Sequence, residues 1–196
     1  MTFRLGGCKI TVNFYFFGML AAAAVFDHTG TMAAGLIAAA VHECGHLILM
    51  RLTGDAPRSI SIKFLGIMIE GKNDVQNVWA ALGGVIANLL AAAVSCTALS
   101  AAPAAAAKFI GANLALGVMN MMPVQTLDGG AALLLMLIKR FPADKAERLS
   151  MMISIASIVP VVTAGLYIMT ASPGNFSLLL LGLWMIAMML SDIIPS

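Results

Sequence analysis

Charge is what this chain has least of. Asp, Glu, Lys and Arg make up 10% of its 196 residues, against about a quarter in an ordinary soluble domain. A water-facing surface cannot be assembled from so few, which excludes a soluble globular protein. The formal net charge of +2 gives no grounds for a nucleic-acid partner, and none is expected. Cysteine is scarce too: Cys8, Cys44 and Cys96 are odd in number and far apart, so they form neither a disulfide framework nor a metal-binding cluster. A convincing cleavable leader is also lacking. Arg4 and Lys9 resemble the charged start of one and Asn13–Phe26 its apolar stretch. Cleavage at Ala21–Ala24, however, would leave a mature chain beginning abruptly before Asp27, so residues 11–26 are expected to stay as a span.

What the chain does have is apolar sequence: 61% of its residues are hydrophobic. The expectation is an all-α polytopic membrane protein, a single domain over 1–196, with about six transmembrane helices of roughly 20 residues each. Apolar stretches divided by polar punctuation place them at 11–26, 31–51, 76–101, 105–123 continuing into 127–139, 149–171 and 175–194. Residues 58–71 read differently. Ile60, Ile62 and Phe64 alternate with Ser59, Ser61 and Lys63, and Ile67 and Ile69 follow past Gly66. That period of two around a glycine predicts a short membrane-surface β-hairpin between the second and third spans.

Charge placement tests the span count. With the N-terminus in the cytoplasm and six crossings, Arg4, Lys9, Arg51, Arg58, Lys63, Lys72, Lys139, Arg140, Lys145 and Arg148 all fall inside, and Lys108 alone outside. That is the bias of a multi-pass protein with both termini cytoplasmic. An odd number of spans would scatter these residues.

The second span contains His42-Glu43-Cys44-Gly45-His46. On a helix, residues i and i+4 share a face, so both imidazoles can meet one ion with Glu43 beside them. Two neutral His nitrogens are half of a tetrahedral zinc site, and a neighbouring carboxylate can take a proton from metal-activated water. Three His and three Glu among 196 residues would fall into this pattern by chance roughly once in a thousand arrangements. Cys44 points off the histidine face and reads as a small spacer. His46 lies five residues before Arg51, roughly 8 Å at the helical rise, which puts the site in the cytoplasmic half of the bilayer. Ionisable groups within spans are costly and usually functional, and one other stands out. Asp128 lies in Pro123-Val-Gln-Thr-Leu-Asp-Gly-Gly130, where a proline and two glycines break the fourth apolar stretch. Irregular backbone at that depth needs protein or a water-filled cavity around it, the surroundings a third ligand and a reactive water would require.

These pieces resemble the site-2 protease family of intramembrane zinc metalloproteases. The resemblance rests on HECGH at 42–46, on Asn120-Met-Met-Pro-Val-Gln-Thr-Leu-Asp-Gly-Gly130, similar to that family's Asn-x-x-Pro-x-x-x-Leu-Asp-Gly element, and more loosely on Gly84-Val-Ile-Ala-Asn88. It implies a Zn2+ cofactor held by His42, His46 and Asp128, with Glu43 as general base acting on zinc-activated water. It implies cleavage of transmembrane or membrane-tethered protein substrates within or near the bilayer. Asn120 would hold the unwound substrate backbone, with Pro123 in the same element, and Asn88 would either serve similarly or simply bond a neighbouring helix; a plain interhelical hydrogen bond is an equal alternative for Asn120. Thr126 and Val85 stand where the family often has proline, and neither is a ligand. The likeness is to a minimal core without a PDZ or cystathionine-synthase-like domain, of the branch that processes bacterial sporulation factors. It therefore implies a bacterial cell membrane and regulation by a separate membrane protein.

Plainer readings cover much of the rest. Asn113 is expected to be an interhelical hydrogen bonder, and Asp27, His28 and Asp192 sit at span ends within reach of water or headgroups. The Ala-rich runs at 21–24, 38–40, 91–93 and 101–107 suit close helix packing, and the fifteen Met residues suit flexible apolar filling. Two other functions would use the same histidines: a metal transporter, and a catalytically silent membrane protein that binds metal or a partner. A transporter has no use for Glu43 as a base and would need ligands spread along a path. A silent relative would be expected to have lost Glu43 or a ligand.

Overall fold

The computed structural model describes residues 2–5, 8–12, 25, 27–54, 57–63, 66–71, 77–172 and 174–193. The chain forms two compact units that divide in the last turn of one helix, between Met119 and Asn120.

Among the described residues, the first unit shows a four-stranded sheet and the helices Thr31–Leu52, Val78–Ala81, Gly83–Ser95 and Pro103–Met121. Strands β1 (Thr2–Leu5) and β2 (Cys8–Val12) pair antiparallel, β2 pairs parallel with β3 (Pro57–Lys63), and β3 pairs antiparallel with β4 (Gly66–Gly71). The antiparallel β3–β4 pair covers the stretch whose alternation suggested a hairpin, and closes through Lys63 opposite Gly66. The N-terminal partner strands correct the expected first span. Thr11 and Val12 belong to β2, and the span's residues 13–24 and 26 lie outside the described residues. The parallel β2–β3 pairing joins segments separated by more than forty residues, a register that local periodicity cannot announce.

Helix α1 (Thr31–Leu52) follows, then a single turn α2 (Val78–Ala81), α3 (Gly83–Ser95) with a 3-10 turn at Cys96–Ala98, and α4 (Pro103–Met121). Asn77 starts α2 by accepting the Trp79 N–H on its side chain, a standard N-cap bond. The expected span 76–101 is thus broken at Leu82, between α2 and α3. Helix α1 packs on α3 at a glycine meeting point. A Cβ built on Gly83 would stand 2.7 Å from the Gly45 carbonyl oxygen, so the two backbones approach with no side chain between them, as small residues permit in membranes.

The second unit contains α5 (Asp128–Ile138), α6 (Ala143–Ala171) and α7 (Ser177–Ile193). The fourth apolar stretch is interrupted at Pro123 as expected, α4 ending at Met121 and α5 beginning at Asp128, but Gly129 and Gly130 lie within the first turn of α5 and do not break it. Helix α6 buries Ala146, Ser150, Ser154 and Ile158, every fourth residue of one face. It packs against both α5 and α7. On the α7 side a Cβ on Gly165 would lie 2.7 Å from Leu179 Cα.

Among the described residues, α1, α4 and α6 are long and apolar enough to cross a membrane, while α3 with its 3-10 turn, α5 and α7 are apolar but shorter. At the start of α1, the Ala33 N–H donates to Asp27 Oδ2 at 2.8 Å. That bond, chief among several backbone donors, holds the Asp27 carboxyl below its usual range. A depressed carboxylate stabilises the fold above its unfolded-state pKa, and the contribution is lost as pH falls through the lower folded-state value. The protection of the first-turn amides of α1, taken relative to their intrinsic exchange rates, should therefore fall on acidification below about pH 4. In Asp27→Asn the step should be absent, and its persistence would assign it to another group.

Candidate metal centre

His42 and His46 fall on one face of α1 because four residues separate them. Their Nε2 atoms stand 3.2 Å apart, with ring centroids 4.8 Å apart and planes inclined at 78°. His46 Nδ1 lies 2.8 Å from the Ala80 carbonyl oxygen. Facing an acceptor, that nitrogen carries the proton and donates, so Nε2 is the nitrogen of His46 that bears a lone pair, and it faces His42 Nε2. Ligand histidines are commonly oriented in this way. His42 is buried and His46 half-buried, and Gly84 is packed against both. A Cβ there would stand 2.5 Å from His42 Nε2 and from His46 Nε2. Glu43, beside His42, is half-buried, while Cys44 is exposed as expected for a residue off the histidine face.

Asp128 opens α5, following Leu127 in extended conformation at φ −111° and ψ 162°. The segment before it doubles back. The Val124 N–H donates to the Met122 carbonyl and the Leu127 N–H to the Val124 carbonyl, both at 2.8 Å. Gly129 and Gly130 are required here, because a Cβ on either would collide with loop carbonyls, those of Met121 and Met122 for Gly129 and that of Val124 for Gly130. Val124 and Leu127 are buried, and Asn120, Pro123 and Asp128 half-buried.

His42 and His46 of the first unit and Asp128 of the second each offer a ligand atom suited to a metal ion. Two imidazole nitrogens and a carboxylate are a donor set used by zinc. Asn88 lies one turn beyond Gly84 on α3. It is fully buried, and neither polar atom of its side chain has a hydrogen-bond partner among the described residues. Asn113 is also fully buried, but its Nδ2 donates to the Phe109 carbonyl of its own helix at 2.8 Å, not to a neighbouring helix.

Sequence reasoning missed the Ala80 carbonyl, since a backbone acceptor leaves no side-chain signature. It had Gly84 only as part of a motif, and had no role for Ser154. The four-residue spacing of Ser150 and Ser154 in an otherwise apolar helix was the available sign of a polar stripe.

Three apolar helices of membrane-crossing length, one of them carrying a close imidazole pair, point to a membrane protein with candidate metal ligands on α1. Residues 60–161 match peptidase family M50. The match spans just over half of the chain, beginning after the histidine pair and including the segment from Asn120 to Gly130. The chain belongs to this family, the site-2 proteases, which are membrane zinc metalloproteases. Its fold is similar to that of the site-2 protease from Methanocaldococcus jannaschii, with a TM-score of 0.62 over 94% of this chain and 91% of that one at 16% identity. No curated protein matches the chain.

Proposed function

We propose that this chain is an active intramembrane zinc metalloprotease, one catalytic domain cleaving transmembrane or membrane-tethered protein substrates in the cytoplasmic half of the bilayer. The observation that carries the reading is the imidazole pair of His42 and His46, whose Nε2 atoms stand 3.2 Å apart, in a member of peptidase family M50. His42 and His46 offer their Nε2 atoms, and Asp128 a carboxylate oxygen. Zinc, when bound, polarises the scissile carbonyl and makes water acidic enough to attack near neutral pH. Glu43 takes the proton as the water oxygen adds to the carbonyl carbon. It then delivers that proton to the departing nitrogen as the C–N bond breaks, leaving a carboxyl group and an amine. A helical substrate must unwind to expose its carbonyl, and each freed backbone group then needs a partner. The buried Asn88 amide has bonds to give, and Asn120 and Pro123, in the segment leading to Asp128, complete the proposed substrate contacts.

The proposed topology has six crossings, the third, fourth and sixth made by helices shorter than a full bilayer or broken within it. The parallel β2–β3 pairing supports the N-terminal end of this arrangement. It joins residues 8–12 to residues 57–63, so the N-terminus and the end of α1 nearest His46 share one side of the membrane. The basic residues make that side the cytoplasm, with the sheet at the membrane surface and both termini inside. A bacterial cell membrane and a separate regulatory membrane protein complete the proposal.

The test is cleavage of a tethered membrane substrate by the purified chain loaded with zinc, with products mapped by mass spectrometry. The expected result is about one zinc per chain and a cut within or beside the membrane segment, lost on chelation and restored by zinc. Well-folded protein that binds no zinc would overturn the reading. Zinc-loaded protein that moves metal across vesicles without cutting any substrate would replace it with a transporter.

A further inference from the structure

Asp128 sits at the end of a loop whose stiffness must come from somewhere. Residues 122–127 have no helix or strand of their own, and Pro123 fixes only one φ angle. The loop is instead fastened to α6. The Gln125 N–H donates to Ser154 Oγ at 3.0 Å. The Ser154 hydroxyl proton has two carbonyls in reach, that of Ser150 at 2.8 Å and that of Pro123 at 3.3 Å. Gln125 adds a longer bond from its side chain to the Glu147 carbonyl at 3.4 Å. Ser154 is fully buried, so water cannot take over its bonds. One hydroxyl on a long helix therefore accepts from the loop backbone at Gln125, while its single proton is shared between its own helix at Ser150 and the more distant Pro123 carbonyl on the other side of Val124. Only Thr126 and Leu127 separate the fastened Gln125 from Asp128, and Gly129 and Gly130 let the first turn of α5 close down on the same loop.

We infer that Ser154 is a positioning residue for Asp128, holding the loop so that the carboxylate is aimed before any metal arrives. This rests on the reading of Asp128 as a ligand. A ligand already aimed loses little freedom on binding, and removing groups that orient metal ligands typically weakens metal binding about 10–100-fold. Ser150, one turn earlier on the same face, serves as the contrast. It is equally buried, and its hydroxyl has no hydrogen-bond partner among the described residues.

The experiment titrates Co2+ into the metal-free full chain in detergent, reading affinity and the visible absorption bands that report coordination geometry. Ser154→Ala is expected to bind about 10–100-fold more weakly with altered bands, while Ser150→Ala matches the unmodified chain in both. Asp128→Asn separates the two claims. If it binds like the unmodified chain, the ligand assignment fails. If it loses binding while Ser154→Ala keeps both affinity and bands, the positioning role alone fails. Equal losses in Ser150→Ala and Ser154→Ala would also overturn it, by pointing to general packing. A measurement on the unmodified chain covers the case in which Ser154→Ala does not fold. The Gln125 amide should exchange slowly without metal, and rapid exchange there would show that the loop is not held in advance.

Discussion

Glu43→Gln is expected to abolish cleavage while leaving the metal in place. Gln matches Glu in size and differs little from it in helix propensity, so α1 and the spacing of His42 and His46 should be unchanged. The ligand set does not include residue 43, so about one zinc per chain should still bind. What disappears is a basic oxygen beside the attacking water, able to hold its proton until the amine departs. General acid–base groups contribute typically about 10²–10⁴-fold, and in the proposed mechanism one carboxylate serves both proton transfers, which places the expected loss toward the upper end. Single-turnover cleavage of a tethered substrate, with zinc measured in the same preparation, checks the prediction. Loss of activity together with loss of zinc would assign Glu43 a structural role. A Glu43→Gln chain that kept more than a tenth of the original rate would remove Glu43 from the chemistry. The same variant divides protease from transporter, since moving a cation requires no proton acceptor at this position.

The parts of this architecture that were legible in the sequence are those written in local spacing. The i, i+4 separation of His42 and His46 becomes an Nε2–Nε2 distance of 3.2 Å on α1. The proline after Asn120 falls in the break between α4 and α5. The alternation from Ser59 to Ile69 becomes two antiparallel strands. What was not legible depends on segments distant in the chain or on backbone atoms. Residues 8–12 look like the approach to an apolar span, and only their pairing with Ser59–Ile62 makes them a strand. The Ala80 carbonyl that orients His46 has no residue-type signature. Ser154 is one of several hydroxyl residues in α6, most of which bond back to their own helix, as Ser157 does to the Ile153 carbonyl at 2.8 Å. Only the folded loop identifies Ser154 as the hydroxyl that also reaches outside it.

Gly84→Ala is expected to disable the proposed metal centre without replacing any of its proposed ligands. The added methyl carbon would lie 2.5 Å from His42 Cε1, His42 Nε2 and His46 Nε2, about an ångström inside ordinary contact distance. Two responses are open, and each is resisted. Helix α3 could retreat from α1, but the two backbones already meet at Gly45 and Gly83. Retreat would open space beside the buried Val85, Asn88 and Ala92, and cavities of that kind are costly. The imidazoles could turn instead, but His46 would then give up its 2.8 Å bond to the Ala80 carbonyl and neither Nε2 would keep its aim. The second response disturbs fewer atoms, so the chain should still fold, with zinc affinity reduced by at least the roughly 10–100-fold that loss of ligand orientation typically costs and cleavage falling with it. Gly111→Ala provides the comparison, because a Cβ there meets nothing within 4 Å. Removing a mid-helix glycine should stabilise α4 by roughly 0.5–1 kcal/mol and leave zinc binding alone. Zinc titration of the two variants therefore separates the space beside the histidines from the general flexibility of a membrane helix. Unchanged affinity in Gly84→Ala would mean that His42 and His46 do not hold the ion against this face of α3, and the metal centre would have to be sought elsewhere.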